Sequence, residues 1–301
     1  MPTQGFLLTT ISKMHVGDDT DRHAEGIIDK LIQRDHATDL PYIASKSFRG
    51  ALKERLKTLF DNPDYIKIIF GEESSKGRQG QIVFDDVFLA SMPVRSDKVP
   101  YFNVSSVRIL EHLKERYENY QFGNAANFGA FISPISKEIK NKKAIAKTES
   151  AILENKLLTT SVTGIDFAKI KQFYDSDFCL VNHDHNNAEL LKLGYEIDLM
   201  KVLTDDNHLP IESHNFLVNG ESKNLWYEQI LLPKTLFYFF ISYNDKIKGL
   251  KEVYEALETQ LLKIQTPHFQ IGSDASLGYG YVKIEKLNIF NQANHEPTAT
   301  K

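Results

Sequence analysis

GIIDKLIQRDHATDLPYIASKSFRGALKERL, residues 26–56, holds a carboxylate, Asp29, between an apolar pair and the triplet Ile32-Gln33-Arg34. A polar loop follows, closed by Pro41, and then come an apolar patch, Tyr42-Ile43-Ala44, and a Ser45-Lys46-Ser47 turn. Beyond the turn, Phe48, Ala51, Leu52, Leu56 and Leu59 recur at three- and four-residue spacing and so share one face of a helix. Arg49, Lys53 and Lys57 share the other face. Ser45 and Ser47 stand where an N-cap belongs. Free N–H groups at such a helix start, with Lys46 and Arg49 beside them, are expected to hold a phosphate. Residues 29–59 carry seven Lys/Arg against four Asp/Glu, although the whole chain is negative by four.

Working outward, residues 6–11 are apolar and Thr-rich and read as a first strand. Residues 81–89 (QIVFDDVFL) read as a second strand, ended by Pro93-Val94-Arg95-Ser96, and 107–120 as a helix. The run 235–241 (TLFYFFI) is the most β-prone in the chain and predicts a central strand covered on both faces. An amphipathic helix over 247–262 and a last strand over 281–284 follow. Strand–helix–strand, twice, is an α+β pattern of the ferredoxin-like, split βαβ kind, which is also the RRM-type sheet used on single-stranded RNA. The reading is one elaborated domain over 1–290, with insertions over about 90–232 and a disordered tail at 291–301. Within the insertions, 194–232 predicts a projecting hairpin with strands over 195–203 and 225–232.

A hydrophobic share of 42% allows a substantial core, while a mean hydropathy of −0.34 and no long apolar run argue against a membrane span. The first residues carry no basic segment or small-residue cleavage site, so no signal peptide is expected. A lone cysteine, Cys179, excludes an internal disulfide and a multi-cysteine zinc site, and a cytoplasmic protein is expected. Acidic residues concentrate in 164–208, with nine against four Lys/Arg, which leaves other surfaces free to be basic.

Several motifs are open to two readings. Gly272-Ser-Asp-Ala-Ser-Leu-Gly278-Tyr-Gly280 lets a backbone approach a ligand closely, or makes a tight hairpin turn. It is not a dinucleotide loop, because a short strand rather than a helix follows. His15 is a proton donor or a structural histidine, and Asp29 a catalytic or an ordinary loop carboxylate. His183-Asp184-His185 has the look of a metal pair within an Asn/Asp-rich loop. The five lysines of 136–147 form a solvated face or a phosphate contact. There is neither a P-loop nor a nucleophile motif for Ser/His/Asp hydrolysis.

In order, His15-Val-Gly17, Asp29 ahead of Ile32-Gln33-Arg34, the Pro-aromatic-Ile stretch, Ser47-Phe-Arg-Gly50 and the C-terminal glycine loop resemble the RAMP superfamily of CRISPR proteins. Within it the match is to the repeated backbone subunit of type III-B (Cmr) complexes. Phe70-Gly71-Glu72, Leu225-Trp-Tyr-Glu228 and Leu232-Pro233 extend it. The resemblance implies an RRM-like palm, helical fingers and a β-hairpin thumb. It implies a filament of copies with other Cmr subunits along a guide RNA, cutting single-stranded target RNA. By position, Asp29 is implied as the cutting carboxylate, with His15 and Glu228 beside it. A divalent cation, Mg or Mn, would be held weakly by Asp29 and RNA phosphate. Ser45, Lys46, Ser47, Arg49, Arg34, Gly272, Gly278 and Gly280 are the implied RNA contacts. A non-catalytic RNA-binding scaffold of the same fold is the alternative.

Overall fold

The computed structural model describes residues 1–17, 28–72, 77–97, 99–121, 128–130, 132–133, 203, 209–263 and 269–287, together with the backbone of four strands between 144 and 181. The lysine-rich run 136–147 apart from one short strand, His183-Asp184-His185, and the tail 291–301 lie outside the described residues. The chain begins with β1 (Thr3–Thr10), β2 (Tyr42–Ile43), α1 (Ser45–Lys57) and α2 (Pro63–Phe70). Next come β3 (Ile82–Phe84), β4 (Val87–Arg95), β5 (Tyr101–Ser106) and α3 (Val107–Asn119). Four short strands follow: β6 (Ala144–Ala146), β7 (Ser150–Leu153), β8 (Lys156–Ser161) and β9 (Phe178–Val181). The rest is β10 (Ile211–Val218), β11 (Glu221–Gln229), β12 (Leu236–Tyr243), α4 (Leu250–Lys263) and β13 (Val282–Lys286).

The large sheet runs β13-β1-β12-β4-β5-β9-β6-β8-β7, with β2 beside β4 and β3 beside β12. The neighbours β13-β1, β1-β12 and β12-β4 are all antiparallel. Every residue of β12 is buried, as its unbroken apolar run requires. Its side chains alternate between two layers. Phe239 stacks on Phe6 at 5.3 Å and meets Phe48 of α1 at 4.8 Å, placing α1 on one face. Phe240 meets Tyr117 of α3 at 6.0 Å, and the Tyr238 hydroxyl lies 2.6 Å from His112 Nδ1, placing α3 on the other. Emptying one such ring site, as in Phe239→Ala, is a change of about 3–5 kcal/mol.

α1 forms where the apolar spacing predicts it, burying Phe48, Leu52 and Leu56. The expected strand over 81–89 is broken in two. Asp85 and Asp86 sit between β3 and β4, and β4 continues through Pro93 to Arg95. Asp85 N still donates to Phe240 O at 2.9 Å, so the pairing with β12 is kept across the break. The projecting hairpin is also shifted. Its arms are β10 and β11, joined at Asn219-Gly220, where both residues have positive φ (53° and 84°), as a tight primed turn demands. Within the expected first arm, 195–203, only Leu203 is described, and it is buried in a helical turn. Among the described residues the hairpin pairs with no other strand, and Phe216, Leu217 and Leu225 near its tip are at least half exposed.

Candidate active site

Residues 28–34 are laced to the foot of the hairpin. Asp29 N and Lys30 N both donate to Tyr227 O, at 3.0 and 3.1 Å, and Gln229 N donates to Lys30 O at 2.9 Å. Ile32 N donates to the Gln229 side chain at 3.1 Å, and Ala44 N to the Gln33 side chain at 3.0 Å. Polar glutamines thus do indoors what a sheet ladder would do, satisfying the buried backbone of a segment too irregular to be a strand. This frame fixes Asp29. Its Oδ2 accepts from Tyr227 N at 2.8 Å while the residue stays exposed.

Glu228 is fully buried. Its Oε1 accepts from Lys30 Nζ and from Trp226 Nε1, the latter at 2.8 Å. Lys30 Nζ also stands 5.4 Å from the centre of the Trp226 ring. Burial pushes the Glu228 carboxyl up, but the bonds from Lys30 and Trp226 and the nearby positive charge of His15 and Lys30 leave it below the usual range. Its Oε2 has no hydrogen-bond partner and faces the equally unpartnered His214 Nε2 at 3.6 Å. His214 in turn stacks on Trp226 at 5.4 Å. A carboxylate with no accessible surface does not touch a substrate. Glu228, expected beside Asp29, lies beneath the surface on which Asp29 is exposed. The sequence reading passed over Lys30, Trp226 and His214, though Trp226 is the chain's single tryptophan and sits beside Glu228.

His15 is buried too, with Nδ1 at 2.7 Å from Gln229 O. A carbonyl only accepts, so Nδ1 carries the proton in this bond. The glycine loop closes over the same place. Ser273 N donates to His15 O at 3.0 Å, and Gly280 N to Lys13 O at 2.7 Å. A Cβ on Gly272 would stand 2.1 Å from His15 O, and one on Gly280 2.1 Å from Ile271 O, both at positive φ. The close approach these glycines permit is therefore to the chain's own backbone. Gly278 alone has open space about it. Tyr279 and Lys13 both reach Glu212 at the root of β10, so the loop and the hairpin foot are one assembly.

The start of α1 departs from expectation. The N-cap is Ala44, with no side-chain cap from Ser45 or Ser47. Instead the Asp86 carboxylate accepts from Ser45 N at 2.7 Å. The acids that break the second strand thus put a negative charge on one of the N–H groups expected to face a phosphate. Arg49 turns inward, donating to Phe70 O at 3.2 Å over the Phe84 ring. Arg34 is buried, and its Nη1 donates to Asp39 O and Leu203 O. Lys46 is exposed.

Among the described residues no three His, Cys, Asp or Glu side chains converge to hold a metal ion. Asp29 also commits one oxygen to Tyr227. This donor set does not fit a divalent cation held by protein alone.

The RAMP superfamily model matches residues 7–283. The chain belongs to the RAMP superfamily. It is 29% identical, over 94% of its length and 95% of the relative's, to the CRISPR system Cmr endoribonuclease Cmr4 of Pyrococcus furiosus. Among solved structures it resembles a chain of the type III-B Cmr-beta complex bound to cognate target RNA. The TM-score is 0.72 at 20% identity, over 95% of this chain and 97% of that one. It also resembles oligomeric Cmr4 from Pyrococcus furiosus, with a TM-score of 0.60 at 20% identity, over 95% and 99%. Both likenesses cover nearly the whole chain and show its fold.

Proposed function

We propose that this chain is a repeated backbone subunit of a type III-B complex, binding guide CRISPR RNA and cutting complementary single-stranded target RNA at regular intervals. Copies of the chain would stack with other Cmr subunits along the guide, in the cytoplasm. No helix among the described residues is long and apolar enough to cross a membrane. The observation that carries the reading is Asp29, an exposed carboxylate held by backbone bonds at the foot of an exposed hairpin. The curated relative's name, an endoribonuclease, supports the reaction class.

The antiparallel order β13-β1-β12-β4, with helices between β1 and β4 and between β12 and β13, supports an RRM-like palm within one domain over 1–290. The β10–β11 hairpin supports a thumb, and the fingers fall in the insertion over about 90–232, of which α3 is the described helix. The sheet face on which an RRM stacks bases is buried here under α3. RNA would therefore run past the hairpin foot, with guide–target pairing supplying sequence and the protein contacting backbone. Lys46, Ser45, Ser47 and the turn at Gly278 are the proposed surface contacts. Arg34, Arg49, Gly272 and Gly280 support them from within, as do His15 and Glu228 beneath Asp29.

In the reaction, the target ribose 2′-OH gives its proton to Asp29, on the oxygen not bonded to Tyr227. The 2′-oxygen bonds to phosphorus, the bond from phosphorus to the 5′-oxygen breaks, and that oxygen takes a proton from water. The products are a 2′,3′-cyclic phosphate and a 5′-hydroxyl. The chain's part is to hold the splayed nucleotide in line. The test is to assemble the complex on a guide, add complementary RNA with and without magnesium, and map fragment ends. Regularly spaced cuts with cyclic-phosphate ends are expected. Tight target binding without cutting would favour the scaffold reading.

A further inference from the structure

We infer that Lys30 binds the scissile phosphate of the target RNA, as the cationic partner of Asp29, and that buried Glu228 is the positioning residue that aims it. The inference rests on the proposed reading of Asp29 as the reacting carboxylate.

A carboxylate beside RNA phosphates is repelled by them unless a positive charge stands close. Lys30 follows Asp29 directly, so their Cα atoms lie about 3.8 Å apart. Both side chains are anchored on the same run of β11. Asp29 Oδ2 is on Tyr227 N, and Lys30 Nζ is on the Glu228 carboxylate and beside the Trp226 ring. The anchoring differs in depth. The Glu228 side chain has no exposed surface, whereas the Lys30 side chain is 50% exposed. An ammonium has three N–H donors, and Glu228 takes one. Here a buried anion, with Trp226 on the same oxygen and His214 facing the other, restrains a cation that reaches solvent next to Asp29. A lysine is ordinarily a flexible point charge, and this cradle removes that freedom, which is what electrostatic stabilisation of a developing phosphorane needs. Lys30 supplies charge only: it makes no bond to phosphorus, and the proton path through Asp29 is unchanged.

The test uses assembled complexes carrying Lys30→Ala, Lys30→Arg, Glu228→Gln or Asp29→Asn, with a target bearing a phosphorothioate of either stereochemistry at the scissile position. Lys30→Ala should slow single-turnover cleavage at saturating complex by about 100-fold, the lower end for losing one charge-stabilising group. Target affinity should stay near wild type, while the thermal midpoint should fall because buried Glu228 loses its cation, so rates are compared well below the lower midpoint. Lys30→Arg should recover most of the rate, and Glu228→Gln should fall between. One phosphorothioate should slow the wild type, and that effect should shrink in Lys30→Ala. Wild-type cleavage by Lys30→Ala overturns the inference, as does a rate loss with an unchanged sulfur effect, or one that Lys30→Arg does not recover. If Asp29→Asn abolishes cutting while Lys30→Ala does not, this inference alone fails. If both cut normally, the reading of the site falls with it.

Discussion

Two places in this molecule bring a loop, a helix or strand end and charged side chains together, and they have opposite outcomes. At the start of α1 the Asp86 carboxylate takes the first N–H and Arg49 turns onto Phe70 and Phe84, so charge is consumed inside. At the hairpin foot the groups are equally well tied, yet the ties push charge outward. Buried Glu228 and Trp226 hold Lys30, and Tyr227 holds Asp29, with both of the held residues reaching solvent. A closed set of partners makes an anchor. A buried set that restrains an exposed one makes a site.

The largest effect expected is at Gly272, which backs His15 under the hairpin foot. Gly272→Ala puts a methyl 2.1 Å from His15 O at a φ of +93°. It should lower stability by about 2–4 kcal/mol, since strained backbone alone accounts for about 1–3. Gly278→Ala, with the same sign of φ and open space, should lower it by only about 1–2 kcal/mol. Chemical denaturation of both variants checks this, and equal losses would show that the loop is not seated on His15. A smaller effect is expected at the helix start. Asp86→Ala removes the cap on Ser45 N and should lower stability by about 1 kcal/mol, leaving guide affinity and its salt dependence unchanged. Tighter guide binding by that variant would mean that phosphate does reach the helix start. The smallest effect concerns pH. The Glu228 carboxyl is net lowered in the fold from its ordinary 4.5. Its contribution is therefore fully present above that value and lost as pH falls through the lower folded one. Stability measured against pH below 4.5 should decline less steeply in Glu228→Gln than in the wild type.

β1, β13, α1 and the central place of β12 were legible because their apolar spacing is set by burial alone. Asp29 and His15 were legible as positions in an ordered motif. What the sequence hid were partners. Nothing near Ser45 announces that Asp86 will cap it from 41 residues away. The pair Asp85-Asp86 within an apolar run was nevertheless a visible sign that the strand breaks there. The hairpin's first arm was read at 195–203, of which only Leu203 is described, whereas the strand that pairs with β11 is 211–218, whose apolar residues are spaced no more plainly. A motif gives the place of Glu228 in the chain and says nothing of its depth, so its burial was not legible.

The central claim is that the charge of Asp29 serves the reaction and not the fold. Its most direct test is single-turnover cleavage of a complementary RNA by complexes carrying Asp29→Asn, with target affinity and thermal midpoint read on the same preparation. Asparagine keeps an oxygen for the Tyr227 N–H. The account predicts cleavage slowed by about 100-fold or more, the scale of losing a general base, with affinity and midpoint near wild type. Cleavage at the wild-type rate, or target binding lost together with cleavage, would contradict it.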